Sequence, residues 1–152
     1  SSADSSVVRK TPFSEIKILE IEISTLSGII NKNIENADAY LIRLIPGIEK
    51  SVELFRMGNE QEANKFFINI IDGIDWLSQV LDMILAAKAI SPDTVFGEKS
   101  IQDRRTSLVG FTQQMVDANK NQDWVLLADL LEYEILPYYQ EWSELLPHFR
   151  SE

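Results

Sequence analysis

From Asn36 to the C-terminus, apolar side chains recur at alternating intervals of four and three residues, the spacing that gathers them on one face of an α-helix. Four segments carry it. Leu41, Ile45, Ile48, Val52 and Phe55 form the first stripe, interrupted at Pro46-Gly47, where a kink or a fresh helix start is expected. Ala63, Phe67, Ile70, Ile74, Leu77, Leu81 and Ile84 hold the spacing through three heptads and predict a helix from about Glu60 to Ala89. Ile101, Leu108, Phe111 and Met115 mark a weaker third helix ending near Asn119-Lys120-Asn121. The fourth begins at Asp123 and carries Trp124, Ala128, Leu131, Ile135, Tyr138, Trp142, Leu145 and Phe149, with a bend expected at Pro137.

Gly58 suits the left-handed cap of the first helix, and Ser91-Pro92-Asp93 stops the second. Short connections at Gly58-Asn59 and Asn119-Asn121 then give two helical hairpins joined by the longer segment Ser91 to Lys99. The expected fold class is all-α, an antiparallel up-down-up-down four-helix bundle with a short strand-like N-terminal segment. That segment is residues 16–23, where Leu19, Ile21 and Ile23 alternate with acids as in a half-buried strand. A lone strand cannot satisfy its backbone, so it would pair with Gly28-Ile29-Ile30, a second copy or a partner; an irregular or helical lead-in is the alternative. Residues 1–13 read as a disordered or expression-derived tail, and 14–152 as one domain.

Composition narrows the function. The chain has 152 residues, 45% of them hydrophobic, a formal net charge of -10 and no cysteine. One domain can bury a sizeable core at this length, and no apolar run is long enough for a membrane span. Excess acid repels phosphate backbones, so nucleic acid is not an expected partner. Absent cysteines exclude disulfides and thiolate chemistry and favour a cytoplasmic location.

Catalytic chemistry finds little support. His148 is the only histidine and lies near the C-terminus, where metal sites and hydrolase triads, which need several ligands or a buried base, have no footing. The densest carboxylates, Asp129, Glu132 and Glu134, diverge around their helix, and ion pairing with Arg43, Arg56, Arg104 or Arg105 is the better reading of them. No glycine-rich phosphate loop occurs. No catalytic residue, cofactor or metal is therefore expected.

The surface offers more. Trp76, Val80, Met83 and Ala87 form a second apolar line on the second helix, and Leu126, Leu130, Tyr133 and Pro137 do the same on the fourth. A helix apolar on two faces must bury both. Each line either packs on a neighbour or forms a groove or dimer seam, rimmed by Asp72, Asp75, Asp129 and Glu132. Trp76, Val80, Met83, Leu126, Leu130 and Tyr133 are the expected partner-binding residues, being of types that anchor interfaces.

The run Phe55-Arg56-Met57-Gly58-Asn59-Glu60-Gln61-Glu62-Ala63, with Ile70-Ile71-Asp72-Gly73-Ile74-Asp75-Trp76-Leu77 and Leu127-Ala128-Asp129-Leu130-Leu131-Glu132-Tyr133-Glu134, resembles an uncharacterised family of small acidic helical-bundle proteins from Gram-positive bacteria. More loosely, the bundle is similar to flagellar export chaperones, which hold an unfolded flagellin terminus in an apolar groove. The resemblance implies no catalytic residues. The expected function is non-enzymatic: protein contacts, as a homodimer or as an adaptor or chaperone-like holder of a helical or extended segment. The alternative is a regulatory or sensory domain that binds a small ligand between helices at Pro46 and Pro137.

Overall fold

The computed structural model describes residues 12–150. The chain is all-α apart from one small hairpin. Helix α1 (Pro12–Arg56) turns into α2 (Glu60–Ala87); a two-stranded hairpin, β1 (Val95–Phe96) and β2 (Lys99–Ser100), leads to α3 (Ile101–Lys120). The last stretch is α4 (Trp124–Leu130), a π-helical turn (Leu131–Ile135), α5 (Leu136–Leu145) and a 3-10 turn (Leu146–Phe149), which together form the fourth helix. Both α2 and the fourth helix pack along α1, while α3 packs on the fourth helix.

Capping explains where the helices start and stop. Asn59 and Asp123 accept bonds from the backbone N–H groups of Glu62 and Leu126, and Ser100 and Asp103 form a reciprocal capping box. Gly58, at φ +80°, closes α1, with the Asn59 N–H reaching back to the Leu54 carbonyl at 2.9 Å. Gln122 performs the same service for α3 at φ +55°, a conformation in which a side chain is strained.

The N-terminal segment departs from the sequence expectation. Residues 16–23 are helical, not strand-like, and belong to the continuous rod of α1. Alternation holds over only a few residues there. The longer pattern Ile16, Leu19, Ile23, Leu26, Ile30 has helical spacing, and a helix already formed by the buried residues from Ile30 onward extends backwards without a new nucleation cost. The tail expected at 1–13 falls mostly outside the described residues; Pro12 and Phe13 open α1. Nor does Pro46 start a new helix. It lies within α1, and both Pro46 and Ile42, whose carbonyl loses its donor, are exposed, so solvent can replace the missing bond.

Most of the expected stripes are the core. All seven residues of the α2 stripe are buried, as are Leu41, Ile48, Val52 and Phe55 on α1. The fourth helix keeps Ala128, Leu131, Ile135, Trp142 and Phe149 of its expected stripe in the core. Beyond Ile135, Tyr139 and Leu146 are fully buried, and the expected Tyr138 and Leu145 are only half-buried. Pro137 is the cause. Its ring would collide with the carbonyl four residues back, and the π-helical turn widens the ladder there, so that the Leu136 N–H bonds to the Leu131 carbonyl, five residues away. That extra residue lets Tyr139 and Leu146 turn inward ahead of Trp142 and Phe149, which stay buried.

Tyr139 carries a cost. Its hydroxyl is buried without a hydrogen-bond partner, and burial holds its pKa well above the usual 10.0. Tyr139→Phe should therefore raise stability by about 1 kcal/mol, read from the midpoint of urea unfolding. The unfolded chain ionises this phenol first, so stability present below about pH 10 is lost as the pH climbs toward the raised folded value. Unfolding titrations in alkali should show that loss blunted in the Phe variant.

Candidate functional site

The six residues expected at a partner surface divide. Trp76, Met83, Leu126 and Tyr133 are exposed, whereas Val80 and Leu130 are buried within the chain, each at under 10% exposure. The two lines stay apart, because their helices pack chiefly on α1 and not on each other. On α2 the second apolar line meets α1. The Trp76 ring lies 5.1 Å from that of Tyr40, and the Arg43 guanidinium sits 5.6 Å from the Tyr40 ring on the same helix. Gly73 makes room for this contact, since a Cβ there would collide with the Tyr40 hydroxyl and ring.

Of the acids beside those lines, Asp129 and Glu132 are ion-paired. Arg56 donates to Asp129 at 2.8 Å and to Glu132 at 2.6 Å, tying the end of α1 to the fourth helix. These two bonds raise the Arg56 pKa and outweigh the effect of burial. His148 is exposed in the terminal 3-10 turn. Among the described residues no group of three or more His, Cys, Asp or Glu side chains could hold a metal ion, and no helix is long and apolar enough to cross a membrane.

A concave surface forms elsewhere, between α2 and α3. These helices are consecutive but do not close on each other, because residues 88–100 separate them. Ala89 turns the chain at φ +52°, and the β-hairpin is pinned by the buried Arg104 guanidinium, which donates to the Phe96 carbonyl at 2.6 Å and to the Glu141 carboxylate on α5. That anchor holds the start of α3 against the fourth helix.

The gap contains two adjoining cavities of about 640 and about 170 Å³ that share Ser78, Leu108 and Val109. Ile71, Ile74, Leu81 and Leu85 form the α2 wall, Val109 and Val116 the α3 wall, and Tyr138 and Trp142 line the smaller cavity from the fourth helix. Burial pushes the Tyr138 phenol up to about 12, so it is a neutral lining group. Two cross-helix ties bound the groove: Arg105 to Asp82 at 2.6 Å, and the Asn119 amide donating to the Asn64 side-chain oxygen at 2.5 Å. Between them, Asp72 and Asp75 give the α2 side a negative rim.

The lining of this gap is mainly apolar. Its hydroxyls, Ser78 and Thr112, have no histidine beside them, whereas its walls are apolar and its rim acidic. A third cavity of about 310 Å³, between α1 and α2 near Gly47, is lined by Tyr40, Arg43, Leu44 and Phe66. Sequence reasoning marks Asp72 and Asp75 as a rim but misses Ile71, Val109, Thr112 and Val116. The seven-residue step from Val109 to Val116, with Thr112 between, is the available sign of a second apolar line on α3.

A family model described as a domain of unknown function (DUF8042) matches residues 32–145. That span contains the whole groove and leaves out the first part of α1. No curated protein and no solved structure matches the chain.

The Tyr40 contact tests how α2 seats on α1. Gly73→Ala should cost about 1–3 kcal/mol despite its better helix propensity, because the Tyr40 ring must leave its place. Pairing it with Tyr40→Ala should recover much of that loss, as measured by thermal unfolding of the single and double variants.

Proposed function

For a chain that belongs to the DUF8042 family, we propose a non-enzymatic role in which the groove between α2 and α3 holds an apolar helical or extended segment of another protein. The bundle is then an antiparallel up-down-up-down scaffold left open on one side, working as an adaptor or a chaperone-like holder in the cytoplasm. The observation that carries this reading is the groove itself, with apolar walls from two helices and an acidic rim. From Ile71 to the Arg105 tie at Asp82 the α2 wall is about 16 Å long at 1.5 Å per residue, enough for three turns of a docked helix. Asp72 and Asp75 select a segment with Lys or Arg beside its apolar face.

The cavity near Gly47 supports a second reading, a regulatory or sensory domain that takes a small ligand. It lies beside Gly47, next to Pro46, one of the two prolines between which the sequence expectation places such a site, and it has Arg43 and Asn69 among its polar lining residues. A ligand held there should raise the melting temperature in a metabolite screen, and Arg43→Ala should abolish that rise.

For the groove, an amphipathic Leu–Lys peptide of about five helical turns is a suitable probe. Val109 is largely exposed, so Val109→Arg keeps the fold while placing a bulky cation in the groove. The peptide should bind the parent chain, with a change in Trp142 fluorescence, and bind the variant at least tenfold more weakly. Equal binding by both chains, or equal binding of a Leu–Glu peptide, would count against the groove. Leu130→Asp, by contrast, should unfold the chain, because Leu130 is part of the core.

A further inference from the structure

Beyond the groove, and independent of it, the first five turns of α1 extend past the buried part of the bundle. Every large apolar residue from Phe13 to Ile29 is exposed, and burial of the helix begins at Ile30. The residues concerned are not scattered. Ile16, Leu19, Ile23 and Leu26 are 55%, 55%, 63% and 48% exposed and lie at alternating steps of three and four. They continue the same stripe that inside the bundle runs through Ile30, Ile34, Ala37, Leu41 and Leu44.

The identities along this seam are specific. Written as a heptad, isoleucine takes the first position at 16, 23 and 30, and leucine the fourth at 19 and 26. β-Branched residues at the first position with leucine at the fourth favour two parallel strands, because the two layers pack their side chains differently against a partner helix. The spacing then changes once, with two successive steps of four, from Leu26 to Ile30 and from Ile30 to Ile34. From there the stripe turns to the chain's own α2 and fourth helix. A helix of this length rich in isoleucine has little reason to persist in water unless its seam is covered.

We propose that the extension pairs with the same segment of a second copy as a parallel two-stranded coiled coil, with Ile16, Leu19, Ile23 and Leu26 as its seam. The chain is then a dimer whose two bundles, each with its groove, project from a common stalk. Ile18 and Ile21 lie off the seam and stay outward. Glu15 of one strand faces Glu20 of the other, so the pairing is driven by apolar burial against a mild charge repulsion, and added salt should tighten it.

The parent sequence contains no cysteine, so single cysteines report the geometry cleanly. Light scattering at high micromolar concentration should give twice the 17.4 kDa chain mass, and Leu19→Asp with Ile23→Asp should give a folded monomer. Ile16→Cys and Leu26→Cys should each form a covalent dimer under mild oxidation, while Gly28→Cys, on the outward side, should not. A monomeric parent, a trimer or tetramer, a dimer that survives the double substitution or loosens in salt, or crosslinking at only one of the two seam positions would overturn the proposal. Val109→Arg should leave the dimer intact, so failure of the groove and failure of the stalk are read separately.

Discussion

Helix α1 is the element on which the rest of the molecule depends. Its buried stripe must be covered, and it is covered from two sides, by α2 and by the fourth helix. Burial of some ten side chains on one rod supplies the main drive for the fold, each large apolar one contributing about 1.5–3 kcal/mol before entropy is counted. Once both neighbours are committed to α1, they have no need to meet each other. Helix α3 packs chiefly on the fourth helix and meets α2 through the Arg105–Asp82 and Asn119–Asn64 ties, which leaves a gap beside α2, and that gap is the groove.

Polar contacts then set the width of the gap more than they stabilise the fold. Arg104, buried and bonded to the Phe96 carbonyl and to Glu141, places the start of α3, and Arg105 reaches across to Asp82. Half-exposed ion pairs such as Arg56 with Asp129 and Glu132 add little net energy, yet they fix which helices end side by side. The same acids that give the chain its charge of -10 are therefore unequal in role. Those near Arg56 are engaged inside the molecule, whereas Asp72 and Asp75 face the groove.

The match to the family covers the bundle and its groove but not the first turns of α1. This division parallels the physical one. From Ile30 onward the α1 stripe is answered within the chain, and before Ile30 it is not. The proposed holding groove and the proposed stalk are compatible with each other, since a rigid rod carries the register of one end to the other.

What the sequence determined by itself was the set of stripes and their punctuation. Seven of seven expected α2 residues are buried, and helices begin after Asn59 and Asp123, because apolar period and cap chemistry are local properties. Three matters were decided only by the tertiary structure. Residues 16–23 became helix because a helix already formed from Ile30 onward propagates backwards, which a window of eight residues cannot reveal. Tyr139 and Leu146 joined the expected Trp142 and Phe149 in the core, leaving Tyr138 and Leu145 half-buried against it, because the π-helical turn before Pro137 inserts one residue, and a proline announces a disturbance without stating which side chains it turns inward. Val80 and Leu130 turned inward, and the groove opened between α2 and α3, because which of two apolar faces is covered depends on which neighbours arrive, and that is a property of the assembled bundle.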